Sequence, residues 1–252
     1  RYNLLTRGTD REERNISDML SLDLSVKDLS HFFNLRYMTY FSRYQGNLIS
    51  AYLIRDFYTF SWLRPFDQRS TYWSHTLSAT RLLTRLSLTA GLQIAYARNA
   101  STLEQQGATI DYTDHSFTLS PSLKWNARRN LNFDYVASLS YTGVSIDRSA
   151  VDRYIPFLDH RLYTYWGLTP RFSLTTTLQH YYTQSPDISA TNLFFADLGL
   201  RFSFPHMTVS LDWTNLLNRR TYVVTGYNAI NTYTRTDRLR PSEFLISFRF
   251  KR

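Results

Sequence analysis

Residues 193–215 read LFFADLGLRFSFPHMTVSLDWTN, two alternating runs either side of a Phe-Pro-His turn. In the first run Phe194, Ala196, Leu198, Leu200, Phe202 and Phe204 share one parity, and Asp197, Gly199, Arg201 and Ser203 the other. In the second, Met207, Val209, Leu211 and Trp213 alternate with Thr208, Ser210, Asp212 and Thr214. Strand side chains alternate faces with a period of two, so the stretch predicts a hairpin with one apolar and one polar face. Periodicity alone leaves open whether the apolar face covers a protein core or meets lipid.

The same unit recurs along the chain. Leu20, Leu22, Leu24 and Val26 alternate with polar residues; so do Leu86 to Tyr96, Phe117 to Trp125, Leu131 to Tyr141, Leu158 to Trp166, Phe172 to Leu178 and Phe244 to Phe250. The segment 47–61 is strand-like but poorly patterned. Together these predict an all-β chain of about eleven strands, each about 10–14 residues, with no internal domain boundary.

Composition agrees. The 252 residues include 19 Tyr and 17 Phe, and charged residues make up only 19%, too aromatic and too little charged for disorder. Mean hydropathy is −0.36, and no stretch has the apolar length of a membrane helix, which leaves a membrane β-barrel open. The formal charge is +9, carried almost wholly by Arg, since Lys occurs only at 27, 124 and 251. Arg suits phosphate partners, either lipopolysaccharide or nucleic acid, but it also snorkels and sits beside aromatics. Its dispersal along the chain argues against nucleic acid. Absence of Cys removes disulfide and thiolate chemistry. The opening RYNLLTRGTDREERN lacks the apolar core of a signal peptide. Either a targeting segment has been removed or the sequence begins partway through a longer protein.

Three features turn the apolar face toward lipid. The strands exceed the usual globular length of about 5–6 residues and match the roughly 9–11 needed to cross a bilayer. Short turns near 82–85, 126–129, 169–171 and 204–206 alternate with long polar loops expected at 98–111, 144–154, 183–191 and 217–240, the asymmetry of outer-membrane barrels. Aromatics gather near strand ends: Tyr72, Trp73, Tyr96, Tyr112, Trp125, Tyr141, Trp166, Tyr181, Tyr182, Phe204 and Trp213, as interfacial girdles require. The reading is an antiparallel up-and-down transmembrane β-barrel. Asp134, Arg161, Asp197, Arg201, Asp212 and Arg249 are then the candidates for its wet lumen.

DWTNLLNRRTY (212–222) and RPSEFLISFRFKR (240–252) resemble the end of TonB-dependent outer-membrane receptors. In that family an Asn-Leu-Phe-Asn-basic-basic-x-Tyr segment precedes a long loop, and the last strand opens near Arg-Pro and closes on an aromatic. Asn215, Leu216, Leu217, Asn218, Arg219, Arg220 and Tyr222 match the first motif, with Leu217 for the usual Phe; Arg240, Pro241 and Phe250 match the second. Lys251 and Arg252 trail beyond the closing aromatic, which departs from the pattern. The resemblance implies a 22-stranded, plugged barrel. Residues 1–252 would form the C-terminal part of its wall, with the plug and the TonB-engaging box lying outside this sequence.

What the resemblance implies for function is energy-coupled uptake of a scarce nutrient, an iron chelate, vitamin, glycan or peptide, across the bacterial outer membrane. Partners would be outer-membrane lipid and lipopolysaccharide, the TonB energy-coupling protein through the missing N-terminal region, and the nutrient itself, with room for a surface lipoprotein. Within 217–240, Arg219, Arg220, Tyr222, Tyr227, Asn228, Asn231, Tyr233 and Arg235 offer stacking and hydrogen-bonding groups and are the substrate-binding candidates. A complete plug-free pore or adhesion barrel of about 12 strands is the alternative.

Catalysis is not expected. Asp114, His115 and Ser116 have the residue types of a hydrolase relay, but neighbours on a strand face opposite ways. His115 or His180 could serve a haem receptor as an axial ligand, though structural histidine is the plainer reading. Metal-ligand spacings and phosphate-cradling glycine loops are absent, and no cofactor is implied.

Overall fold

The computed structural model describes residues 3–7, 12–55, 58–146, 153–185, 188–228 and 231–250. Its strands are β1 (Asn3–Arg7), β2 (Asn15–Asp28), β3 (Phe33–Arg55), β4 (Tyr58–Leu83), β5 (Leu88–Gln105), β6 (Ala108–Arg128), β7 (Leu131–Ile146), β8 (Arg153–Thr169), β9 (Phe172–Ser185), β10 (Ile188–Ser203), β11 (Met207–Thr214), β12 (Thr221–Asn228), β13 (Asn231–Arg238) and β14 (Glu243–Phe250). Eleven of them form one antiparallel meander, β2 through β11 in chain order and then β14. β12 and β13 pair only with each other, and β1 runs parallel to the start of β4. Among the described residues the sheet does not close: β2 and β14 are each paired along one side only.

The register keeps the two faces apart. Leu200 lies between Leu174 and Leu211, and Arg201 between Ser173 and Ser210. The same holds from strand to strand. The apolar face is not a core: Leu20 is 70% exposed, Phe117 43%, Leu178 48% and Phe248 61%. Ala137 apart, the buried apolar residues lie toward the ends remote from the short turns: Leu48, Ile49, Ala51, Leu103, Val144, Ile155 and Tyr181. A sheet of this size that leaves its regular apolar positions bare is covered by something other than the described residues.

The short turns close through local side chains. Asp28 Oδ1 accepts the Ser30 and His31 N–H groups at 2.9 and 3.2 Å, and its other oxygen meets His31 Nδ1 at 2.6 Å. The His31 side chain, followed by its backbone N–H, holds the Asp28 carboxyl below the usual carboxylate range. At the β8–β9 turn Thr169 Oγ1 accepts from Arg171 N and Phe172 N. Asn130 donates its amide to Gly167 O at 2.6 Å between β7 and β8.

Three expectations change. The expected loop 98–111 is strand almost throughout, as are the described parts of 183–191 and most of 217–240. The first of these is closed by a two-residue turn in which Gln106 (φ +50°) and Gly107 (φ +82°) adopt the left-handed conformation that suits the hairpin twist. Strands also run longer than expected, to 23 residues in β3 and 26 in β4. Their extra length is the poorly patterned 47–61. Near the short turns β4 lies between β3 and β5, but at the far end β3 lies beside β5, with Ala51 opposite Glu104 and Tyr52 opposite Gln105. The two-stranded ribbon has turned over at the irregularity between Gly46 and Leu48, consistent with the strong twist of such ribbons. Both of its faces are then occupied, so neighbours Leu48 and Ile49 are buried together, 4% and 0% exposed, and alternation disappears. Buried Glu104 is paired with Arg64 there. Finally, Tyr72, Tyr112 and Tyr181 belong to the polar face rather than to a girdle, since Tyr72 is opposite Asn99, Tyr112 opposite Ser101 and Tyr181 opposite Asp159.

Candidate functional site

The polar face holds two zones. Nearer the short turns, a cavity of about 380 Å³ is lined from β8, β9, β10 and β11, including Tyr163, Tyr165, Thr175, Arg201, Ser210 and Asp212. Side chains from four consecutive strands share one cavity only if the sheet curls toward this face. A second cavity, about 450 Å³, shares Tyr163 and Tyr165 and continues to Lys124 and Asp134. The result is a polar furrow from β6 to β11. Gly199 keeps its floor open, because a Cβ there would collide with Thr175 Oγ1.

Arg201 and Asp212 thus line the furrow, and Asp134 faces Lys124 Nζ at 3.4 Å. Arg161 lies further along β8, opposite Val136 and Gln179. Arg249 stands on β14 opposite Thr208. Asp197 is committed elsewhere: its Oδ1 accepts the Asn215 N–H at 2.7 Å. Sequence reasoning passed over Tyr165 and Lys124 as lumen residues, although Tyr165 has the parity of Arg161 and Tyr163.

The second zone lies toward the far ends of the strands. Gln179 Nε2 donates to Asp159 Oδ1 at 2.9 Å, and Phe157 meets Tyr181 edge to face at 4.8 Å. Tyr222 of β12 stacks obliquely on Tyr181 at 4.8 Å, so the β12–β13 hairpin is anchored on the polar face of β9. Across the sheet, Asn99 Nδ2 reaches Asp114 Oδ2 at 3.4 Å. Burial, partly offset by Asn99, holds the Asp114 carboxyl above its ordinary range, and burial raises the Tyr112 hydroxyl likewise. Tyrosines, amides and carboxyls can bind a polar ligand by stacking and hydrogen bonds. His115 Nδ1, by contrast, meets the Tyr96 hydroxyl at 3.2 Å on the apolar face, apart from Asp114.

The asparagines of the NLLN stretch have a clear local task. Asn215 (φ +50°) donates its amide to Arg219 O and Arg240 O at 2.8 and 2.9 Å and accepts from Arg219 N at 2.9 Å. Asn218 (φ +49°) accepts from Ser242 N at 3.2 Å, and Leu239 N donates to Arg220 O at 2.9 Å. These bonds clamp the stem of β12 and β13, and the part of Arg219 and Arg220 they engage is backbone. Arg235 donates to Asp237 at 2.9 Å. Tyr227, Asn228, Asn231 and Tyr233 belong to the paired strands by register, but their side chains lie outside the described residues. Of the eight binding candidates, the structure joins Tyr222 to the polar-face cluster.

An open antiparallel meander with an exposed apolar face and a cavity-bearing polar face invites comparison with solved structures. BauA, the ferric preacinetobactin receptor from Acinetobacter baumannii, superposes with a TM-score of 0.51 at 8% identity, over 92% of this chain and 43% of that one. The fold is that of a TonB-dependent receptor barrel. The ferric yersiniabactin uptake receptor FyuA from Yersinia pestis has a TM-score of 0.48 at 10% identity, covering 94% of this chain and 43% of FyuA. The ferric-catecholate import receptor Fiu from E. coli K12 has a TM-score of 0.41 at 11% identity, covering 96% and 63%. This chain therefore spans less than two thirds of each of these three proteins. No family model and no curated protein matches it by sequence.

Proposed function

We propose that the chain forms wall and outer loops of a bacterial outer-membrane receptor that takes up a scarce nutrient with energy delivered through TonB. The observation that carries this reading is the inverted surface: regular apolar positions exposed on one face, a curled polar face on the other, in a sheet with the receptor-barrel fold. The short turns then face the periplasm and the β12–β13 hairpin the exterior. An open sheet edge is untenable in lipid, so β2 and β14 pair with further strands of the barrel. The furrow faces the lumen and the Tyr181–Tyr222 zone its outer mouth. An iron chelate is the nutrient class to test first, being what BauA is named for; vitamin, glycan and peptide follow. The role is transport, with no chemical step assigned to any side chain.

The test is a gel of outer-membrane fractions, boiled and unboiled, probed with antibody to Glu243–Phe250, alongside uptake of labelled ferric chelates with and without an uncoupler. A heat-modifiable band well above the chain's 29.8 kDa with uncoupler-sensitive uptake is expected. A heat-modifiable band at about that mass would mean a small passive pore, and a soluble band without heat shift would overturn the membrane reading.

A further inference from the structure

The apolar face carries one cation in an unusual setting. Arg98 on β5 is exposed and lies directly between Trp73 of β4 and His115 of β6. It stands about ten residues from the short-turn end of its strand, close to the roughly 9–11 that carry a tilted strand across a bilayer. Trp73, 48% exposed, packs against Phe41 at 6.1 Å and His75 at 5.6 Å. His75 stacks on Tyr96 at 6.5 Å, and Tyr96 lies 6.5 Å from the His115 ring. Each imidazole has a tyrosine hydroxyl at Nδ1, Tyr37 at 2.9 Å for His75 and Tyr96 at 3.2 Å for His115. A hydroxyl donating to Nδ1 holds the neutral ring in its Nε2–H tautomer, a donor for an anion.

Among the described residues no carboxylate balances this group. On β4, β5 and β6 the positions opposite Arg98, and the next on the same face above and below, are Thr, Trp, His, Tyr, Ala and Phe. Asp114, next to His115 in sequence, turns to the other face and binds Asn99. Along the strands toward the short turns the face is apolar and exposed, with Leu77 at 39% and Leu92 at 41%.

The geometry points to a binding site for a phosphorylated lipid headgroup of the outer leaflet, with Arg98 holding the phosphate, His115 donating beside it, and Trp73 and Phe41 packed against the sugar or upper acyl chain. A guanidinium pairs with phosphate through two parallel hydrogen bonds, aromatics flank headgroups at the interface, and the exposed leucines below continue the contact along the acyl chains. This inference rests on the outer-membrane reading above.

The experiment uses the intact protein extracted in mild detergent, incubated with bisphosphorylated lipid A, the same lipid dephosphorylated, or inorganic phosphate, and weighed by native mass spectrometry. Wild type should keep one phosphorylated lipid A, and little of the other two. In R98Q/H115Q retention should fall about tenfold, as for loss of a charge-assisted hydrogen bond, while R129Q at a short turn retains it. Equal retention by R98Q/H115Q, or of the dephosphorylated lipid by wild type, overturns the site. Binding of inorganic phosphate alone would assign a free anion instead of a lipid. Heat-modifiability is scored on the same samples: its loss in wild type refutes the membrane reading, whereas its presence without lipid retention refutes this site only.

Discussion

Asn215 combines two demands that few residues meet. Its backbone sits at φ +50°, where asparagine is tolerated better than most side chains, and its amide ties two distant carbonyls, Arg219 O and Arg240 O. N215G keeps the backbone and loses the tie; N215A loses both. The tie comprises three bonds with a net worth of about 0.5–1.5 kcal/mol each at most, so both variants should open the stem. Limited proteolysis of intact cells should cut within 216–240 faster in N215G than in wild type, and faster still in N215A. Equal rates for all three would mean the clamp holds nothing. The motif that supports the family resemblance is therefore, in this structure, a device for holding a hairpin over the polar face. Sequence could mark Asn215 and Asn218 as a pair but not disclose that each also reaches the far stem, at Arg240 and Ser242.

At the scale of elements, the meander divides into a part with strict alternation and a far part without it. In β3 and β4 the change falls where the ribbon turns over, beyond Gly46. Alternation was readable wherever one face met apolar surroundings and the other water. It failed beyond Gly46 because the turned ribbon is covered on both faces around Leu48, Ile49 and Ala51. The poor pattern there was itself a sign of a second environment. The far part holds a small core of its own around Ile49, so its stability separates from that of the crossing part. I49A should cost about 2–5 kcal/mol locally. Hydrogen exchange should quicken at 47–66 and 101–105 while β7–β9 amides near the short turns keep their protection. Uniform acceleration across the sheet would show the two parts unfold together.

For the whole molecule the deciding matter is which face meets lipid, and a matched pair of substitutions addresses it. Leu178 is 48% exposed on the apolar face, about midway along the crossing part of β9, and its neighbour Thr177 faces Tyr163 and Asp197 on the polar one. L178R should cost about 2–4 kcal/mol, as Arg does at mid-bilayer, and should deplete the heat-modifiable band. T177R, reaching into a wet lumen, should leave it nearly unchanged. In a soluble barrel Leu178 would face the core and L178R would still be the costlier change, but neither wild type nor variant would give a heat-modifiable band. Depletion of the band by T177R with L178R spared would overturn the assignment of the two faces.

Sequence by itself determined the strands of the crossing part, their two faces, most short turns and the direction of the apolar side. Each of these follows from local chemistry: the period of two, turn residues, and an apolar row too regular to be incidental. Only the tertiary structure decided that the 47–61 ribbon turns over, that Tyr112 and Tyr181 look inward, and that Tyr222 comes to rest on Tyr181. It also decided that Arg98 stands between Trp73 and His115. These depend on strand register and on contacts between residues 11 to 53 positions apart, which no local period encodes.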